Sequence, residues 1–124
     1  GVYYATELIR QMILAGLPVK DAKILILGFA FKPNCADIRN TKVVDIYNTL
    51  STYTSNISIY DPHVAPKEVQ REYGISIDTK LPTGDFNIII FAVAHHSLAE
   101  LFSEYSKKKN CIIFDLVKFN KKTE

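Results

Sequence analysis

Cysteine is scarce here. Cys35 and Cys111 stand far apart, in no Cys-x-x-Cys or Cys/His spacing, so neither a structural zinc site nor a disulfide framework is expected, and a reducing cytoplasm is the compartment that fits. No apolar run is long enough to cross a bilayer, so no membrane partner is expected, and the first residues lack a basic segment followed by an apolar one, so no signal peptide is expected either. Net charge is slight, a formal +2 from 15 Lys and Arg against 13 Asp and Glu. That balance gives no ground for a nucleic-acid partner. The basic runs Lys107 to Lys109 and Lys121-Lys122 lack the interleaved aromatics of a single-strand-binding groove, which leaves them as solvated surface. An initiating methionine is also missing: Gly1-Val2-Tyr3-Tyr4 runs straight into helical periodicity, so the chain reads as a piece cut from a longer protein.

What is present is a core. With 48% hydrophobic and 23% charged residues in 124 positions, the composition suits one folded domain. Ala5, Leu8, Ile9 and Met12 mark one face of a helix that Gly16 and Pro18 stop. Ile24 to Leu27 is an unbroken aliphatic strand of the kind covered on both faces. Val43, Ile46, Tyr47 and Leu50 form the next helical stripe, with Asn40 or Thr41 placed to cap it. Ile57 to Tyr60 alternates as a second strand, Pro66 to Tyr73 reads as a short helix ended by Gly74, and Ile75 to Ile77 as a brief third strand. After the turn chemistry of Pro82 to Asp85 come a strongly buried strand over Asn87 to Val93, a helix carrying Leu98, Leu101, Phe102 and Tyr105, and a last strand over Cys111 to Phe114, before a polar tail from Asn120 to Glu124. Strands alternating with helices predict an α/β, Rossmann-like three-layer fold: a parallel sheet of about five strands in the order 3-2-1-4-5, preceded by one helix.

The stretch from Gly28 to Thr41 is the site candidate, because open α/β sheets bind ligands beyond the carboxyl ends of their strands. From Lys32 to Asn40 it outruns the usual βα connection of about two to six residues, and such loops are commonly functional. A dinucleotide reading is tempting, with Gly28 after the first strand and Asp61 after the second. The turn argues against it, since Phe31, Lys32 and Pro33 stand where small residues must let backbone approach phosphate. Charge replaces bare backbone: Lys32 offers a flexible ammonium for diphosphate oxygens and Arg39 a planar fork. Asp37 would repel a diphosphate, so its expected work is to hold the loop by an Asx-type turn or an ion pair with Arg39. Arg39 could instead pair with Asp45. Cys35 has no neighbouring His to act as base and is rejected as a nucleophile. His95 and His96 follow a central strand and could face the same edge, while Asp61, Pro62 and His63 read as a turn.

The run G-F-A-F-K-P-N-C-A-D-I-R-N-T, continued by Val43, Val44 and Asp45, by Tyr60-Asp61-Pro62 and by Ala92-Val93-Ala94-His95, resembles the C-terminal, UDP-binding domain of the UDP-glucose/GDP-mannose dehydrogenase family. The form N-C-x-D-I-R-N-T is most similar to the UDP-N-acetylhexosamine 6-dehydrogenase subgroup. The resemblance implies that residues 1-18 end a connecting helix from a missing central domain and that residues 19-124 are the UDP-sugar-binding domain of an NAD-dependent enzyme. That enzyme would oxidise a nucleotide sugar to its uronate for surface polysaccharide synthesis. It implies substrate contacts from Phe31, Lys32 and Lys118, and an Arg39 contact to NAD that the N-terminal domain mainly holds. The spacing of Phe114-Asp115-Leu116-Val117-Lys118 departs from the family's pattern, so Lys118 is a candidate only. The remaining domains of the same enzyme and a homodimer are the implied partners, and the nucleophile lies elsewhere, so the domain alone should be inactive. The alternative is a stand-alone nucleotide-binding or interaction module. A receiver-like switch fits less well, since it needs an acidic cluster where this loop is basic.

Overall fold

The computed structural model describes residues 2–119, so the polar tail and its Lys121-Lys122 pair lie outside the described residues. In chain order the elements are α1 (Val2–Leu14), β1 (Ile24–Leu27), α2 (Val43–Leu50), β2 (Ile57–Tyr60), α3 (Pro66–Tyr73), β3 (Ile88–Phe91), a short 3-10 turn (His96–Leu98), α4 (Ala99–Tyr105) and β4 (Ile112–Asp115). The strands make one parallel sheet in the order β2-β1-β3-β4. Ile24 lies opposite Ile57 on one side and Ile88 on the other, and Ile88 lies opposite Ile112.

The aliphatic runs explain the order. Ile-Leu-Ile-Leu in β1 and Ile-Ile-Ile-Phe in β3 are buried at every position, whereas β2 and β4 are partly exposed, as edge strands must be. Because strand side chains alternate, Ile24, Ile26, Ile88 and Ile90 pack with Leu8, Ile9 and Met12 of α1 and with Val43, Ile46 and Leu50 of α2. Leu25, Leu27, Ile89 and Phe91 pack on the opposite face with Leu98, Tyr105 and Phe119. The sheet is thus covered on both sides, the three-layer α/β arrangement read from the sequence, and each buried aliphatic contributes about 1.5–3 kcal/mol. Short helices rely on this packing and on their ends. Pro66 sits in the first turn of α3 and Gly74 closes it with a left-handed φ of 69°.

One expectation is corrected. Ile75 to Ile77 is not a strand: Ile75 and Ile77 are buried, but the only pairing nearby is the single parallel bridge between Tyr60 and Asp78. The segment meets β2 only at its carboxyl end, where Asp61-Pro62 turns the chain away, so apolar alternation is satisfied by burial without a ladder and the sheet has four strands. At the start of α2, Thr41 and not Asn40 supplies the side-chain oxygen. Thr41 Oγ accepts the Val43 N–H at 3.2 Å, while Lys42 occupies the capping position with helical backbone and Asn40 adopts a left-handed φ of 57° instead of capping.

Gly28 governs how the chain leaves β1. Its φ is +103°, and a Cβ there would lie 2.6 Å from Val93 Cβ and 2.8 Å from the Val93 amide nitrogen. Its own N–H donates to the Tyr60 carbonyl at 2.9 Å. The turn is therefore wedged between the segments that follow β2 and β3. Gly28→Ala adds a strained φ to a clash with backbone, an expected cost of about 2–4 kcal/mol. Thermal unfolding followed by circular dichroism should show Tm falling by roughly 10 °C or more.

Candidate functional site

The loop after β1 lies between the carboxyl ends of β2 and β3, because β1 pairs with both. Those two ends supply its anchors. Asp61, the residue after β2, is fully buried and accepts four hydrogen bonds. Its Oδ2 accepts the amides of Phe29 at 2.7 Å and Ala30 at 3.0 Å and the ring Nε2–H of His95 at 2.8 Å. Its Oδ1 accepts the amide of His63 at 2.8 Å. Burial alone would push the Asp61 carboxyl up, but the bonds from His95, Phe29, His63 and Ala30 outweigh it and hold the group below the ordinary carboxylate range.

His95, beyond β3, is equally buried. Its Nδ1 accepts the Asn34 amide at 2.8 Å, which fixes the Nε2–H tautomer facing Asp61. Asn34, at a left-handed φ of 56°, accepts the His96 amide through its side-chain oxygen at 2.8 Å. The His63 ring lies against His95 with centroids 4.2 Å apart, and its Nε2 is the one buried side-chain polar atom without a partner among the described residues.

The rest of the loop is tied to itself and to α3. The Phe31 N–H donates to the Asp37 carbonyl at 2.7 Å, and Tyr73 Oη donates to the Ile38 carbonyl at 2.7 Å. Asp37 Oδ1 accepts both the Arg39 amide at 2.9 Å and the Arg39 Nε–H at 3.0 Å, while Oδ2 accepts from Nη2 at 2.9 Å. Both expected roles of Asp37, the Asx-type turn and the ion pair, are thus met at once, and Arg39 chooses Asp37 over Asp45. Cys35 Sγ accepts the Asp37 amide at 3.4 Å.

Beside the loop is a cleft of about 360 Å³ whose walls are Ala30 to Pro33, Thr41 to Val43, Ile46, Ala92 to Ala94, Leu116 and Val117. Phe31 and Lys32 stand at its lip. Phe31 is 52% exposed, whereas the large apolar loop residues Phe29 and Ile38 are buried. Lys32 is exposed too. Arg39 projects into solvent, 84% exposed, and Lys118 is exposed at a left-handed φ of 65°, one residue past the cleft wall at Val117. A second, wider cleft of about 680 Å³ lies at the amino ends of the strands beside Lys23, Lys108 and Lys109. It is remote from the loop and from the edge where parallel sheets hold ligands.

The turn does not make a dinucleotide cradle. The Phe29 and Ala30 amides are taken by Asp61, Pro33 has no N–H, and α2 begins only at Val43, so no helix N-terminus stands directly behind Gly28. Among the described residues no cluster of His, Cys, Asp and Glu could hold a metal ion.

Residues 25–122 match the model of the UDP-glucose/GDP-mannose dehydrogenase family, UDP binding domain. The chain belongs to this family. It is 39% identical over 120 residues to a UDP-N-acetyl-D-glucosamine 6-dehydrogenase of Salmonella typhi, covering 94% of this chain and 28% of that protein. A protein of the same name from Pseudomonas aeruginosa is 36% identical over 108 residues, covering 87% of this chain and 26% of the relative. The chain therefore spans little more than a quarter of these two relatives. The UDP-N-acetyl-mannosamine dehydrogenase Cap5O of S. aureus has the same fold, with a TM-score of 0.68 at 23% identity over 95% of this chain and 27% of that one. An NDP-N-acetyl-D-galactosaminuronic acid dehydrogenase from Methanosarcina mazei Go1 superposes with a TM-score of 0.69 at 21% identity, over 90% of this chain and 23% of the other.

The turn expected over Asp61, Pro62 and His63 is present, with the His63 amide on Asp61 Oδ1, while the Asp61–His95 pair of this UDP-binding domain is absent from the sequence expectations. The signal was there: with β1 between β2 and β3, an acid after one flanking strand and a His after the other converge on the loop between them. For Asp37, the side-chain and then backbone hydrogen bonds from Arg39 hold the carboxyl down at about 2. A depressed carboxylate contributes while pH stays above its unfolded value of about 3.9 and ceases as pH falls through its folded value. Carbon-detected NMR titration should thus find Asp37 ionised down to about pH 2. In Arg39→Ala, which loses the side-chain bonds and keeps the residue-39 amide on Asp37, its midpoint should rise part of the way toward roughly 4.

Proposed function

We propose that this chain is the UDP-binding, C-terminal part of an NAD-dependent UDP-N-acetylhexosamine 6-dehydrogenase that makes a uronate for surface polysaccharide. Residues 1–18, which contain α1, are the end of the connection arriving from a central domain, and residues 19–124 are the nucleotide-sugar-binding domain. The observation that carries the reading is the exposed Phe31-Lys32 pair at the lip of the cleft, in a chain of this family.

Lys32 supplies three donors and a full charge to the diphosphate, and Phe31 an apolar face to the nucleotide sugar. Lys118, beyond β4, closes on the substrate from the other side. None of these groups reacts. Their binding energy places the distant sugar C6 against chemistry supplied by the other domains, the use of remote contacts that raises turnover as well as affinity. The domain alone is accordingly inactive. Holding NAD falls mainly to the rest of the enzyme, with Arg39 the contact offered from here. A cytoplasmic homodimer is the expected form of the complete enzyme.

A charge-assisted hydrogen bond lost from Lys32 is worth about 1.5–3 kcal/mol, so Lys32→Ala in the complete dehydrogenase should raise KM for the UDP-sugar roughly ten- to hundredfold. Arg39→Ala should in addition raise KM for NAD. The assay is NADH release with UDP-N-acetylglucosamine, UDP-N-acetylgalactosamine and UDP-glucose side by side. The reading predicts NADH at twice the molar amount of an N-acetylated sugar consumed and little with glucose. Preference for UDP-glucose would discard the N-acetylhexosamine assignment, and wild-type kinetics in both variants would discard the site.

A further inference from the structure

We propose that Asp61 and His95 are the positioning residues of the UDP-sugar loop: a buried acid–imidazole latch that grips the backbone on both sides of Lys32. Asp61 holds the amides of Phe29 and Ala30, and His95 holds the amide of Asn34. Lys32 lies midway, two residues from Ala30 and two from Asn34. The two grips are one unit, because His95 Nε2 donates to the same Asp61 oxygen that accepts Phe29 and Ala30.

The latch has a direction. An imidazole with one proton can donate from Nε2 and accept at Nδ1, and it does both here. A carboxylate already held by three amides would stay satisfied without His95, whereas the Asn34 amide has His95 as its acceptor. The imidazole is therefore the link between a rigid sheet edge and an exposed loop. Side chains of different reach separate its two bonds: Gln reproduces the Nε2 donor, Asn the Nδ1 acceptor. A loop fixed before the ligand arrives loses less entropy on binding, so the latch acts on affinity for the nucleotide sugar and not on the reacting atoms. That consequence rests on the function proposed above, while the latch itself does not.

The test compares His95→Gln with His95→Asn, reading amide hydrogen exchange in the full chain and steady-state kinetics in the complete dehydrogenase. His95→Gln keeps the Asp61 bond and releases Asn34. Exchange at Asn34 should rise at least about tenfold and KM for UDP-N-acetylglucosamine by roughly the same factor, with kcat changed less than about twofold and Tm near wild type. His95→Asn keeps the Asn34 amide covered and should hold KM near wild type while Tm falls. Loss of Tm in both variants, with Asn34 exchange and KM unmoved, would reduce His95 to a packing residue and overturn the proposal. Imidazole nitrogen NMR of the unsubstituted chain decides independently of how the variants fold. A proton on Nε2 with a bare Nδ1 supports the latch, and a proton on Nδ1 overturns it. Should wild type not use UDP-sugars at all, the functional reading falls and the exchange comparison still decides the latch.

Discussion

The structure depends on a carboxylate buried at the sheet edge with four donors around it. An ionised Asp without partners would cost several kcal/mol in that position. Here the donors come from the segments that follow three strands, so satisfying the charge and fixing the edge go together. Phe29 and Ala30 leave β1, His63 leaves β2 and His95 follows β3. The parallel ladder brings the three strand ends side by side, and one pair of oxygens then ties the segments that leave them. Gly28 makes the convergence possible, since only a residue without Cβ fits against Val93 where the first of these segments begins.

That arrangement explains why so polar a loop can be long and still ordered. It is fixed at Phe29 and Ala30 by Asp61, at Asn34 by His95, at Phe31 by the Asp37 carbonyl and at Ile38 by Tyr73. Between the pins only side chains are left over. Phe31, Lys32 and Arg39 are among those the solvent sees, and an aromatic face, an ammonium and a guanidinium are groups suited to a nucleotide diphosphate.

Much of this was legible in the chain. The aliphatic runs of β1 and β3, the stripes of α1 and α2 and the turn-rich junctions predicted a three-layer parallel fold, since period and length separate buried strands from amphipathic helices. The Asp37–Arg39 brace was legible because its partners are two residues apart. The misses are non-local or geometric. Ile75 to Ile77 has strand alternation, but a ladder needs a neighbour of matching length, and β2 stops at Tyr60. Asp61 and His95 are 34 residues apart, so their pairing exists only after the strand order is known. Of the two cap candidates, Thr41 supplies the oxygen, and Asn40 takes the left-handed turn that delivers it to α2.

The most direct test of the central claim, that the cleft beside this loop receives the UDP moiety, is amide shift mapping of the chain during titration with UDP. The account predicts perturbations confined to Ala30, Phe31, Lys32, Thr41, Val43 and the neighbouring wall at Ala92 to Ala94. Perturbations centred on Lys23, Lys108 and Lys109 at the opposite edge, or none at roughly millimolar UDP, would contradict it.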